Sequence, residues 1–203
     1  MARALAEELL ATLPPRDRAV ERVWLLGSPA GMGVIDRLLT LEADRPGRVI
    51  ERLLEHRFDG EYQLEGADGP RSVRLRGIAD RIDLLDGGRL RVIDYKTGHA
   101  PTRGQALQLP VYGRCAEQEL DGRHETTWQV DSAAYVAFGE PRAWVPLDRR
   151  HDIGQVLSEG QQQFLAAVDE IEQGHFQVRP AEPYRCVYCE YPTVCRKDYV
   201  GDE

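Results

Sequence analysis

Residues 72–98, SVRLRGIADRIDLLDGGRLRVIDYKTG, constrain the fold more than any other stretch. Two runs that alternate polar and apolar residues flank Asp86, Gly87 and Gly88. This reads as an antiparallel hairpin with a three-residue loop and a glycine in the left-handed position. In that register Leu85 pairs with Arg89, Leu84 with Leu90 and Ile82 with Val92, and Asp80 stands directly opposite Asp94. Side chains two apart share a face, so Leu90, Val92, Asp94 and Lys96 point one way and Arg91, Ile93 and Tyr95 the other. Opposed residues have Cβ atoms about 5 Å apart, at which two carboxylates repel. A divalent cation between them removes the conflict, since hard ions take carboxylate oxygens. Lys96, one pleat away on the same face, can then orient an attacking water or balance charge on a phosphate. The plainer alternative makes Asp94 and Lys96 a same-face ion pair and Asp80 a strand-end carboxylate. Asp83 has such a plain role in the same register, as a cross-strand partner of Arg91.

Before this hairpin the chain reads as helices: ALAEELLATL, a break at Pro14 and Pro15, DRAVERVWLL, then VIDRLLTLEA after a glycine-rich GSPAGMG. No lysine follows Gly33, so the glycines read as an interhelical loop and not as a phosphate cradle. From about Glu51 the alternation of strands begins. After the hairpin come a helix over about 104–120, one or two strands in TTWQVDSAAYVAFG and AWVPL, and a long helix over about 153–173. An irregular cysteine-rich arm closes the sequence. The expected organisation is an N-terminal helical segment (1–48), a core (49–175) and a C-terminal arm (176–203), together one compact domain, a size that a single core can fill at 203 residues.

The net charge of −8 argues against a protein that binds through a broad basic surface. It leaves room for a carboxylate-lined metal site with local arginines. No stretch approaches the roughly 20 apolar residues needed to span a bilayer, and the N-terminus has no signal-peptide core. A cytoplasmic location with no membrane partner is the expectation. Three of the four cysteines, Cys186, Cys189 and Cys195, lie close together near the C-terminus, a spacing suited to a metal and not to disulfides.

In this order, GIADRID, a hairpin, VIDYKTG and QLPVY resemble the motifs of RecB-type nucleases of the PD-(D/E)XK superfamily. The resemblance covers residues of about 50–196 and is nearest to the C-terminal nuclease domain of AddB-like helicase-nuclease subunits. It implies an α/β core, a mixed sheet flanked by helices. It also implies that Asp80 and Asp94 bind Mg²⁺ or Mn²⁺ with help from the Tyr95 carbonyl, and that Lys96 is the catalytic lysine. Gln108 and Tyr112 match the family's QxxxY motif, and their spacing puts both on one helical face toward the site or DNA. Pro110 sets the start of that helix close by. The cysteine spacing CxxCx5C is similar to the family's iron–sulfur arm, which implies a [4Fe–4S] cluster; spacing alone admits zinc equally.

Two family features are missing. No cysteine precedes Cys115 to supply the fourth ligand, and Cys115 itself and His175 are weak candidates. The family's upstream histidine, in a GxxxHxxxE helix, is also absent; the nearest segment is GRVIERLLE, with Glu51 in the histidine place. Glu55 can instead lie on the first strand and offer a carboxylate to the metal, while His56 is read as a surface residue. Both gaps suggest the C-terminal piece of a longer nuclease, or a chain that works beside a helicase-bearing subunit. The expected function is DNA cleavage or end processing in recombinational repair, with Arg74 and Arg76 as candidate phosphate contacts. The rivals are a non-cleaving DNA-binding scaffold and a CRISPR spacer-acquisition nuclease.

Overall fold

The computed structural model describes residues 1–148, 152–176 and 183–195. The expected arm over 176–203 therefore lies partly outside the described residues. The chain divides into two compact units, Met1–Gln162 and Gln163–Glu203.

The first unit opens with α1 (Ala2–Thr12) and α2 (Pro15–Leu26). Pro15 occupies the first turn of α2, where its missing N–H costs nothing. The glycine-rich segment is more ordered than a loop: β1 (Gly27–Ser28) and β2 (Gly31–Met32) form a two-stranded antiparallel ribbon. Gly27 and Gly33 pack so closely there that a Cβ on either would fall within 2.6 Å of backbone. Then follows α3 (Val34–Ala43). Ala6, Leu10 and Leu26 form a small core for these helices.

The sheet has five strands in sequence order: β3 (Val49–Gly66), β4 (Gly69–Leu85), β5 (Arg89–Lys96), β6 (Gln129–Ala137) and β7 (Trp144–Pro146). All neighbours are antiparallel except β5 and β6, which run parallel and are joined through α4 (Gln108–Glu119). The fold is a mixed α/β sheet flanked by helices. The register of β4 and β5 is Leu85 with Arg89, Leu84 with Leu90, Asp83 with Arg91 and Ile82 with Val92. Gly87 and Gly88 hold φ values of 74° and 73° in the loop, which L-residues with a Cβ adopt at a cost. Pro110 sits in the first turn of α4, as its fixed φ and absent N–H require.

GRVIERLLE is not a helix. Its β-branched Val49 and Ile50 open β3, and the strand pairs with β4 from there to Gly66. One residue in it breaks the pattern. Glu55 takes φ 50°, and the inward-facing set changes from Glu51 and Leu53 to His56, Phe58, Tyr62 and Leu64. α4 packs across β3, β5 and β6. The core on that face consists of Ile82, Leu84, Leu90, Val92, Leu109, Ala133 and Tyr135, while Ala134 and Val136 are buried on the other face of the sheet.

The first residues of α5 (Ile153–Glu172) belong to the same unit, and Gln161 accepts a hydrogen bond from the Glu65 amide at 3.0 Å. Gln118 of α4 binds both backbone groups of Gln63, its Oε1 taking the amide at 2.8 Å and its Nε2 reaching the carbonyl at 2.9 Å. Side-chain amides thus occupy part of the free edge of β3, where an unpaired strand would otherwise present open donors and acceptors. In the second unit, a 3-10 turn spans Pro183–Tyr188. Among the described residues no helix is long and apolar enough to cross a membrane.

Candidate active site

The last ladder pair between β4 and β5 is Arg81 with Ile93. The next step in register brings Asp80 to Asp94, and there the ladder gives way to a side chain: Asp80 Oδ2 accepts the Tyr95 amide at 2.8 Å. Asp94 is 3% exposed. Its pKa is raised above the ordinary carboxylate value, first by burial and then by the charge of Asp80, against the pull of Lys96.

Lys96 closes the group. Its Nζ lies 2.7 Å from Asp94 Oδ2 and 3.4 Å from Gln108 Oε1, and 35% of its side chain is open to solvent. The ammonium also stands 5.7 Å from the centre of the Tyr135 ring. Asp94 Oδ2 is buried with no aligned hydrogen-bond donor. A buried carboxylate oxygen short of donors, beside a second carboxylate that raises its proton affinity, suits a divalent cation. Asp80, Asp94, Lys96 and Gln108 are brought together.

The other expected residues fall elsewhere. Glu55 stands in β3 at the register position of Asp80, between the pairs Leu54 with Arg81 and His56 with Ala79. It is exposed, and among the described residues no three His, Cys, Asp or Glu side chains form a metal-holding group, so Glu55 is in the right row without joining the two aspartates. Tyr112 packs its ring 5.4 Å from that of Phe58, with its hydroxyl against Gly77, on the hairpin that leads to Asp80. Arg74 and Arg76 project from β4 with side chains 80% and 83% exposed, 3.9 and 3.8 Å from Asp59. Tyr95 donates its amide to Asp80, and its hydroxyl oxygen accepts from Arg81.

Glu51 and His56 are both bound by side chains. Glu51 accepts from Arg123 Nε at 2.8 Å and lies 2.7 Å from His124 Nε2, and these bonds hold its carboxyl at about 2. His56 Nε2 lies 2.9 Å from Glu119, whose other oxygen accepts the Tyr62 hydroxyl at 2.5 Å. The helix that does precede β3 is α3, and it carries Arg37. Arg37 donates to the carbonyls of Phe138 and Glu140 at 3.1 and 3.2 Å. The same turn binds the Lys96 carbonyl through the Phe138 amide, and that of Gly98 through the Gly139 amide.

The expected ligands of the arm do not form a group among the described residues. Cys189 donates its amide to the Cys186 carbonyl at 3.3 Å, Cys195 to that of Tyr191 at 3.0 Å, and the Tyr191 amide points at Cys189 Sγ at 3.4 Å. Cys115 is a core residue of α4, 1% exposed, its thiol pushed up to about 12 by burial and by Glu119. A thiol so hard to ionise is poorly suited to ligation. His175 is exposed beside Glu170.

Beneath the site lies a network that the strand pattern only half discloses. Asp83 meets Arg91 as expected, but at 3.9 Å; its close partners are Arg81, at 2.8 and 2.6 Å, and Arg52, at 2.8 Å. Glu42 of α3 binds Arg81 with both oxygens. Arg81 and Asp83 share a face two residues apart, which is legible from DRID. Glu42, 39 residues upstream, gives no local signal.

Residues 2–196 match the family model described as the PD-(D/E)XK nuclease superfamily. Over 154 residues the chain is 27% identical to the "Gene 69 protein" of Mycobacterium phage L5, covering 76% of this chain and 46% of that one. The chain thus spans about half the length of that curated relative. The solved structure described as "Crystal structure of SSO0001" aligns over 93% of this chain and 76% of its own, with 17% identity and a TM-score of 0.35.

Proposed function

Because the chain belongs to the PD-(D/E)XK nuclease superfamily, we propose that it is a metal-dependent deoxyribonuclease whose working residues are Asp80, Asp94, Lys96 and Gln108. One observation carries the reading: a buried Asp94 oxygen lacking an aligned donor, beside Asp80 and under a half-exposed lysine. Asp80 and Asp94 would hold Mg²⁺ or Mn²⁺, with the Tyr95 carbonyl as a further oxygen. A divalent cation in such a place supplies Lewis acidity toward water and phosphate oxygen. Lys96 neutralises charge that develops on the scissile phosphate, and the Gln108 amide oxygen restrains its ammonium. Tyr112 steers the strand from the same helix, and Arg74 and Arg76 meet phosphates further along β4. The Cys-rich arm takes no part in this chemistry.

The setting we propose is end processing of DNA in bacterial recombinational repair, in the cytoplasm, alongside a helicase-bearing subunit or domain. GIADRID, VIDYKTG and QLPVY support it through their likeness to RecB-type nucleases. The test is cleavage of end-labelled single- and double-stranded DNA in Mn²⁺, with EDTA and with Lys96→Ala. Metal-dependent cleavage lost in the variant is expected. Equal cleavage by Lys96→Ala would remove the lysine from the mechanism, and a folded wild type that binds DNA without cutting it would favour the scaffold reading.

A further inference from the structure

We infer that Arg81 is a positioning residue of the metal site, and that Glu42 of the N-terminal helical segment acts on the site through it; this rests on the nuclease reading above. Side chains alternate along β4 and β5, so Asp80 and Asp94 face one way while Arg81 and Tyr95 face the other. The two strands are joined across both faces at the point where their ladder ends. On one, Asp80 Oδ2 accepts the Tyr95 amide at 2.8 Å. On the other, Arg81 Nη1 donates to the Tyr95 hydroxyl at 3.0 Å. Tyr95 follows Asp94 directly, so the amide that binds Asp80 is the one joined to the Asp94 carbonyl.

Arg81 is fixed as fully as an arginine can be. A guanidinium has five N–H donors in a rigid plane. Here Nε and Nη2 bind Asp83 at 2.8 and 2.6 Å, Nη1 and Nη2 bind Glu42 at 2.8 and 2.8 Å, and the remaining Nη1 proton goes to Tyr95. The side chain is 3% exposed. Burial opposes its charge, but the bonds from Asp83, Glu42 and Tyr95 outweigh it and raise the pKa above the ordinary arginine value. Two carboxylates suffice to hold an arginine; the fifth bond, to Tyr95, is the one that reaches the site. Glu42 in turn is held by Arg52 at 3.2 Å and Arg45 at 3.1 Å. The end of α3 thus fixes the plane of Arg81, Arg81 fixes the Tyr95 ring, and Tyr95 fixes the spacing of the two aspartates.

The decisive variant is Tyr95→Phe, which deletes only the fifth bond, with Glu42→Gln as a second variant acting from α3. Three quantities are read on the full chain: Mn²⁺ affinity by calorimetry, amide hydrogen exchange at residue 95 by NMR, and kcat and KM for DNA cleavage. The expected result for Tyr95→Phe is faster exchange at residue 95, Mn²⁺ affinity weaker by about tenfold, and lower kcat at unchanged KM, with a Tm lowered by the one Arg81 proton left without an acceptor. Glu42→Gln should move the same quantities in the same direction. Exchange and Mn²⁺ affinity equal to wild type in Tyr95→Phe would overturn the inference. Failure of the nuclease reading looks different: the wild type itself then binds no Mn²⁺, and exchange at residue 95 alone judges whether Arg81 governs the Tyr95 main chain.

Discussion

Asp94 Oδ2 and Lys96 Nζ lie 2.7 Å apart, yet the oxygen has no aligned hydrogen bond although 4% of the Asp94 side chain is exposed. The two residues are same-face neighbours in one strand, and the ion pair they form is mostly buried on the aspartate side. Burying that carboxylate costs stability, which the lysine beside it only partly offsets.

Asp94→Asn should therefore stabilise the metal-free protein while abolishing cleavage. The folded-state pKa of Asp94 is raised. Its contribution is fully present below the ordinary carboxylate value of 3.8 and is lost as pH rises through the folded pKa. At neutral pH the ionised group is a liability, and the amide relieves it. Thermal melts at pH 7 in EDTA should show a Tm higher by about 2–4 °C, the gap to wild type closing in acid. A lower Tm for the variant would mean that the Lys96 ion pair outweighs the burial of Asp94.

Gly77→Ala should disturb Tyr112. A Cβ at position 77 would lie 2.6 Å from the Tyr112 hydroxyl and 2.9 Å from its ring. The ring is packed against Phe58, so it cannot yield freely. The expected cost is about 1–3 kcal/mol, read as a fall in the denaturation midpoint, with a rise in KM for DNA if Tyr112 steers the strand. Tyr112→Phe in the same background removes the nearest atom and should restore part of the stability.

Glu51 gives a pH dependence of the opposite sign to Asp94. Its hydrogen bonds to Arg123 and His124 lower its carboxyl from the ordinary 4.5 to about 2. That contribution is present above about 4.5 and is lost as pH falls toward 2. Its partners Arg123 and His124 are 40% and 47% exposed, so solvent screens the pairs and the effect is small. Melts of wild type and Glu51→Gln from pH 7 to pH 2 should differ modestly at neutrality and converge in acid; a constant difference would mean that Glu51 acts through packing and not through its charge.

The hairpin and its register were legible in the sequence because period-two alternation and a DGG loop leave one good pairing, and that pairing brings Asp80 to Asp94. The helix start at Pro110 was legible for an equally local reason. GRVIERLLE is only superficially like the family's helix; strand alternation is legible from about Glu51, and the β-branched Val49 and Ile50 open the strand two residues earlier. The kink at Glu55 was invisible, because a positive φ at a glutamate has no residue signature. Glu42 was invisible too, since its partners Arg81 and Arg52 are distant in sequence and only the packing of α3 brings them within reach. Tyr112 followed its helical spacing but met Gly77 and Phe58, a neighbourhood that depends on how the β3–β4 hairpin curls.

The most direct test of the account is anomalous diffraction from crystals soaked in Mn²⁺. The predicted result is one peak at coordination distance, about 2.0–2.2 Å, from carboxylate oxygens of both Asp80 and Asp94, and absent in crystals of Asp94→Asn. Well-diffracting crystals with no peak there, or with Mn²⁺ bound only at other carboxylates, would contradict it.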